Sequence, residues 1–150
     1  MLLHASCVAR GTEAVLLLGL PGAGKSDLAL RLIRDGWALV ADDQVRLRVA
    51  AGALHAAPPE ELRGRLEVRG LGLFTGLPVA DPPSVLRLVV HLEDRAAVPR
   101  LPQPTPWRLA GPDIPAVTLH AFDASSPAKV ALALDAATGR VRQTAGAFVP

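Results

Sequence analysis

Hydrophobic positions fall into short runs punctuated by glycine and proline, and most of these runs have the length and spacing of strands. Leu3 to Val8 and Ala14 to Leu18 predict two strands joined by the turn Arg10-Gly11-Thr12. The period then changes. Leucine or isoleucine at 28, 32 and 33, with charge at 27, 31 and 34, predicts a helix over Asp27 to Arg34 that stops at Gly36. Trp37 to Ala41 is an apolar strand ending in Asp42-Asp43, and Gln44 to Val49 is a strand with one wet face, turned by residues 50–53 into Leu54-His55-Ala56. After Pro58-Pro59, Glu60 to Leu62 predicts a short helical or turn segment. Leu66 to Phe74 reads as a strand whose Gly70 and Gly72 permit a tight bend. Val85 to Leu92 is the clearest buried strand of the second half, and Ala116 to Phe122 is another. Between them the proline-dense stretch 98–115 reads as an ordered surface excursion. Asp123 to Pro127 caps a helix over roughly Ala128 to Ala137, and the tail from Thr138 has little to pack.

These elements predict a single α/β domain over residues 1–150, of the P-loop kinase-like kind. It has a central mixed sheet with the Asp27 to Arg34 helix on one face and the C-terminal helix near the other. The chemistry is concentrated between the second strand and that first helix. Gly19-Leu20-Pro21-Gly22-Ala23-Gly24-Lys25-Ser26 is a complete G-x-x-x-x-G-K-S loop in the strand–loop–helix context that the motif requires. Its glycines allow a tight turn that aims backbone N–H groups inward, and the helix adds the positive end of its dipole. The lysine reaches β- and γ-phosphates, and the serine hydroxyl can ligate Mg²⁺. Asp42 and Asp43, at the end of a neighbouring strand, are placed to hold Mg²⁺ or to orient and deprotonate a phosphoryl acceptor.

Composition narrows the partners. Sixteen Lys and Arg against fourteen Asp and Glu leave a charge of +2, and the basic residues are scattered arginines. With three phenylalanines, two tryptophans and no tyrosine, the chain offers no nucleic-acid face. The lone Cys7 cannot form an internal disulfide, which suits a reducing cytoplasm. No leader or membrane span is expected, since the apolar run 14–20 is too short to cross a bilayer and leads into the loop. His4 and His55 read, by themselves, as surface or structural histidines.

Taken together, Leu3 to Gly11, the loop Gly19 to Ser26 followed by an acidic residue, Leu28 to Gly36, Leu39-Val40-Ala41-Asp42-Asp43 and Glu67-Val68-Arg69-Gly70-Leu71-Gly72 resemble the catalytic domain of HPr kinase/phosphorylase. The resemblance is continuous from about Leu3 to Asp94. It implies a bacterial ATP- and Mg²⁺-dependent serine kinase acting on HPr or a paralogous phosphocarrier, which in many members also removes the phosphate by phosphorolysis. On the matching positions it makes Lys25 the residue that neutralises the transferred phosphate, Ser26 and Glu67 Mg²⁺ ligands, and His4 the histidine at the active-site edge. One of Asp42 and Asp43 becomes the base. The pair stays open, with Asp43 favoured by its distance from the loop lysine. Arg69, Gly70, Leu71 and Gly72 match the segment tied to both reactions. The resemblance also implies a homo-oligomer, by family habit a hexamer.

Departures accompany the matches. Most members have an additional N-terminal domain, whereas this chain begins almost on the histidine and so resembles the short proteobacterial forms. Where the family has an arginine in a P-G-R-N segment, Ser125-Ser126-Pro127-Ala128-Lys129 stands here. Lys129 brings positive charge without the planar fork that grips phosphate, so phosphorolysis is expected to be weak. Two other classes keep the phosphate loop: a small-metabolite kinase, which would not need the Glu67 to Gly72 motif, and a non-catalytic nucleotide-binding regulatory module.

Overall fold

The expected first strand is two strands. In the computed structural model, which describes residues 1–109 and 111–150, β1 (Leu2–His4) and β2 (Ser6–Arg10) are separated at Ala5. The facing run is broken in the same place, between β4 (Ala38–Ala41) and β5 (Gln44–Ala50). β1 pairs with β5, and β2 pairs with β4. At the break the Ala5 N–H donates to the Asp43 carbonyl at 3.2 Å, and Asp43 takes a left-handed φ of 68°. Aspartate tolerates that region better than most residues.

This shared kink curls the sheet. β2 pairs antiparallel with β3 (Glu13–Leu18), β5 with β6 (Ala53–Ala57), and β6 touches β9 (Val85–Leu92) at His55 and Val85. β9 runs parallel to β3. The circuit therefore returns to its start, with β3 in its interior. Ala50 and Ala53 flank the expected hairpin turn, and Glu60–Leu62 forms the expected short helical turn. β2 lies between β3 and β4, so the two phosphate-site strands are not direct neighbours. Being antiparallel to both, β2 leaves their C-terminal ends on one side.

Alternation along β3 supplies two cores. Ala14 and Leu16 point inside the curl with Cys7, Ala9, Val45, Leu54 and Val89. A tightly closed sheet has a narrow interior, which accounts for the alanines there. Burial pushes the Cys7 thiol far above its ordinary pKa, so it remains protonated packing material. Val15 and Leu17 point outward, where α1 (Lys25–Arg34) covers them with Leu28, Leu32 and Ile33. α2 (Ser126–Ala137) packs Val130, Ala133 and Leu134 into the same outer cluster. This corrects the expectation that the C-terminal helix lies near the opposite face. The curl fills that face with strand side chains and leaves no surface there for a helix.

β10 (Ala116–Leu119) runs parallel to β9 and is shorter than the predicted 116–122. The Leu66 to Phe74 stretch bends at Gly70 into a small hairpin of β7 (Leu66–Val68) and β8 (Gly72–Phe74). Helix α2 starts at Ser126, two residues before the expected start, and no side chain caps it. The tail is packed, contrary to expectation. Ala147 is buried, Phe148 lies against the outer cluster, and Arg140 pairs with Glu13 at 2.8 Å. Its sparse apolar residues suffice because α2 leaves part of that cluster uncovered. Ala110, in the proline-dense stretch, lies outside the described residues. Among the described residues no helix is long and apolar enough to cross a membrane.

Candidate phosphate-binding and phosphoryl-transfer site

The loop Gly19 to Ser26 leaves the end of β3 and enters α1. Two glycines are required there for different reasons. Gly22 turns at φ 85° in open space, whereas Gly24, at φ 98°, is also sterically confined. A Cβ on Gly24 would lie 2.6 Å from the Ala121 Cβ and 2.9 Å from the Phe122 ring. Gly24 is the N-cap of α1 and no side chain caps that end. The first-turn N–H groups thus remain for an anion, reinforced by the helix dipole. Lys25 Nζ donates to the Gly19 carbonyl at 2.7 Å and the Leu20 carbonyl at 3.2 Å, which folds the ammonium over the loop.

Asp42 follows β4 and is nearly buried, at 6% exposure. Its Oδ1 accepts from Ser26 Oγ at 2.8 Å and from Ser6 Oγ at 2.7 Å, and its Oδ2 accepts from the Glu67 N–H at 3.3 Å. One carboxylate thereby joins β2, the phosphate loop and β7. Glu67 lines a cleft of about 840 Å³ together with Gly22, Gly24, Lys25 and Ser26. Arg69, Gly70, Leu71 and Gly72 also line that cleft, as does Phe122.

Asp43 is exposed, and its backbone carbonyl is the one held by Ala5. His4, also exposed, is one residue from that contact and opposite Gln44. It is therefore at the same end of the sheet as the aspartates, but it is not among the described residues that line the cleft. Lys129 is exposed on α2 and likewise does not line the cleft; its charge acts on Asp123. Leu20, Pro21 and Ala23 complete the loop, with the Ala23 N–H donating to the Leu20 carbonyl at 2.9 Å. Two contributors escape the sequence reading: Ser6 and Phe122. Ser6 carried a usable signal, since a hydroxyl inside an apolar strand needs a buried partner.

The donor set fits Mg²⁺. Among the described residues no group of three or more His, Cys, Asp or Glu is gathered. A hydroxyl and two carboxylates near a phosphate loop match an ion that keeps waters and shares its ligands with substrate phosphates.

A phosphate loop at the end of an interior strand, with its serine bonded to a carboxylate from a second strand, defines a P-loop protein of the kinase-like class. A family model described as HPr Serine kinase C-terminal domain matches residues 1–141, and the chain belongs to that family. Among curated proteins, HPr kinase/phosphorylase of Bordetella pertussis is 48% identical over 84 residues, 52% of this chain and 27% of that protein. The protein of the same name from Leptothrix cholodnii is 45% identical over 92 residues, 57% of this chain and 28% of that one. The matched stretch thus spans little more than a quarter of these relatives. The solved structure of the HPr(Ser) kinase/phosphatase from Coxiella burnetii superposes with a TM-score of 0.76 at 22% identity, covering 93% of this chain and 90% of that one. That likeness bears on the fold.

Proposed function

We propose that residues 1–150 form one catalytic domain that transfers the γ-phosphoryl group of ATP to a serine of an HPr-like phosphocarrier. The observation that carries this reading is the Ser26–Asp42 contact at 2.8 Å, which sets a metal-ligating hydroxyl and a strand-end carboxylate at the mouth of the phosphate loop. In the same cleft stands the Glu67 to Gly72 segment, which a small-metabolite kinase would not need.

The roles divide by geometry. Lys25 and the first turn of α1 hold the transferring phosphate, and would neutralise charge that grows during in-line transfer. Ser26, Asp42 and Glu67 would hold Mg²⁺, which screens the phosphate oxygens when bound. Asp42 already accepts three hydrogen bonds, whereas Asp43 is exposed at the same strand end, so Asp43 is the residue that takes the proton from the acceptor serine. His4 stands at that edge to meet the acceptor protein. Lys129, off the cleft wall, contributes charge and no fork, which leaves phosphorolysis slow. The protein works in the cytoplasm as a homo-oligomer.

The test is incubation of purified protein with ATP, Mg²⁺ and the phosphocarriers of the same organism, followed by mass spectrometry. Phosphate on a carrier serine is expected, with little pyrophosphate on later addition of inorganic phosphate. Phosphate on no carrier serine removes the kinase reading.

A further inference from the structure

One wall of the cleft carries an exposed aromatic ring on a firmly anchored backbone. Phe122 exposes 55% of its surface. The carbonyls on both sides of it are held by Arg31 of α1, which donates from Nη2 to Ala121 and from Nη1 to Asp123 at 3.1 Å. Arg31 is itself fixed by Asp27, with Nε to Oδ2 at 3.1 Å. The Asp123 carboxylate accepts from Arg95 Nε at 2.9 Å. Two residues before Phe122, the His120 carbonyl accepts from Ser126 Oγ, and the His120 ring meets the Phe122 ring edge to face, with centroids 5.7 Å apart. From below, Gly24 approaches so closely that any side chain there would strike the ring.

Ordering a segment costs conformational entropy, and leaving a phenylalanine half in water forgoes the gain of burying it. Anchoring the segment from three directions while exposing the ring is therefore unexplained by folding alone. A flat, rigid surface for a ligand accounts for both. The cleft is lined by the polar Lys25 and Ser26 and also by the apolar Leu30, Val68 and Phe122, and its volume of about 840 Å³ lies in the range of sites that enclose a whole small molecule. A ligand that joins phosphates to a flat ring matches both kinds of lining.

We propose that Phe122 is a stacking platform for the base of the nucleotide whose phosphates sit in the Gly19 to Ser26 loop, with Arg31 as the residue that positions it. This rests on the reading of the site as ATP-dependent. Base–aromatic stacking tolerates any base, so the platform contributes affinity and little discrimination among nucleotides.

The test separates base from phosphates by titrating the protein, in Mg²⁺, with ATP and with inorganic tripolyphosphate in a calorimeter. Wild type binds ATP about tenfold more tightly than tripolyphosphate. Phe122→Ala brings ATP down to the tripolyphosphate level and leaves tripolyphosphate unchanged, and Phe122→Trp restores the difference. Equal wild-type affinity for both ligands overturns the platform. So does an equal loss of both in Phe122→Ala, which would make the ring a support for Gly24. A carrier that stays unphosphorylated while the ATP preference still depends on Phe122 rejects the acceptor assignment and upholds the platform. Binding of neither ligand rejects both.

Discussion

Asp42 and Asp43 are adjacent in sequence and opposite in circumstance, and the difference predicts how each fails. Asp42 accepts on both oxygens, from Ser6, Ser26 and the Glu67 N–H. Asn in its place can satisfy the serines only by turning an NH₂ group toward the Glu67 N–H, a donor facing a donor. Asp42→Asn should therefore lower stability by about 1–3 kcal/mol, read from urea unfolding. Asp43→Asn leaves those bonds alone. It should unfold like wild type while phosphoryl transfer at saturating Mg²⁺ falls by roughly a hundredfold or more, with little change in ATP affinity. Equal losses of activity and stability in the two variants would mean that the base has been misassigned. Sequence alone could not separate the pair, because the distinction lies in Ser6, 36 residues away and joined to Asp42 by the fold.

At the scale of elements, the loop between β10 and α2 acts through ion pairs and carbonyl contacts. The hydrogen bond from Arg95, together with its charge, holds the Asp123 carboxyl below its ordinary value, while the pair remains in contact with solvent. A lowered folded-state value means that the anchoring is fully present above the usual aspartate range, near 3.9, and fades as pH falls through the lowered value. The Phe122 ring resonances should thus stay sharp down to about pH 4 and broaden only below it. In Arg95→Ala the acid-induced broadening should be lost as a distinct step. The elements themselves were largely legible: short apolar runs marked the strands, and the 28, 32, 33 stripe marked α1. The break at Ala5 was not, since apolar character continues across it and the kink is imposed by pairing with a second broken strand. Nor was the side on which α2 packs. Its sequence is rich in alanine, with Leu132 exposed and Leu134 buried, and gives no stripe that would choose a face.

The whole molecule is a curled sheet whose outer side is shared among α1, α2 and the last residues of the chain. Removing residues 140–150 would uncover the patch occupied by Phe148 and leave Glu13 without Arg140. Melting temperature should drop by roughly 5 °C, while Lys25 and Asp42, on other elements, keep their partners. An unchanged melting temperature would show that the tail is ornamental. The packing of this tail was invisible in sequence because what it covers is assembled from distant strands and both helices.

The two walls of the cleft differ in mechanical stiffness. The Phe122 side is bolted to α1, to Arg95 and to α2, whereas the β7–β8 ribbon is two strands of three residues each, with Leu71 and Leu73 in water. A lone two-stranded hairpin is barely stable by itself. The ribbon is fastened at its root, where Leu66 is fully buried and Asp42 grips the Glu67 N–H. It is therefore a spring clamped at one end, facing a fixed anvil. Ligand entry is expected to flex this ribbon more than the Phe122 side, and Asp42 joins the root of the ribbon to the loop serine. Amides from 68 to 74 should exchange with solvent far faster than those of β10 and the 120–126 loop, and ligand in the cleft should slow the first group and leave the second unchanged.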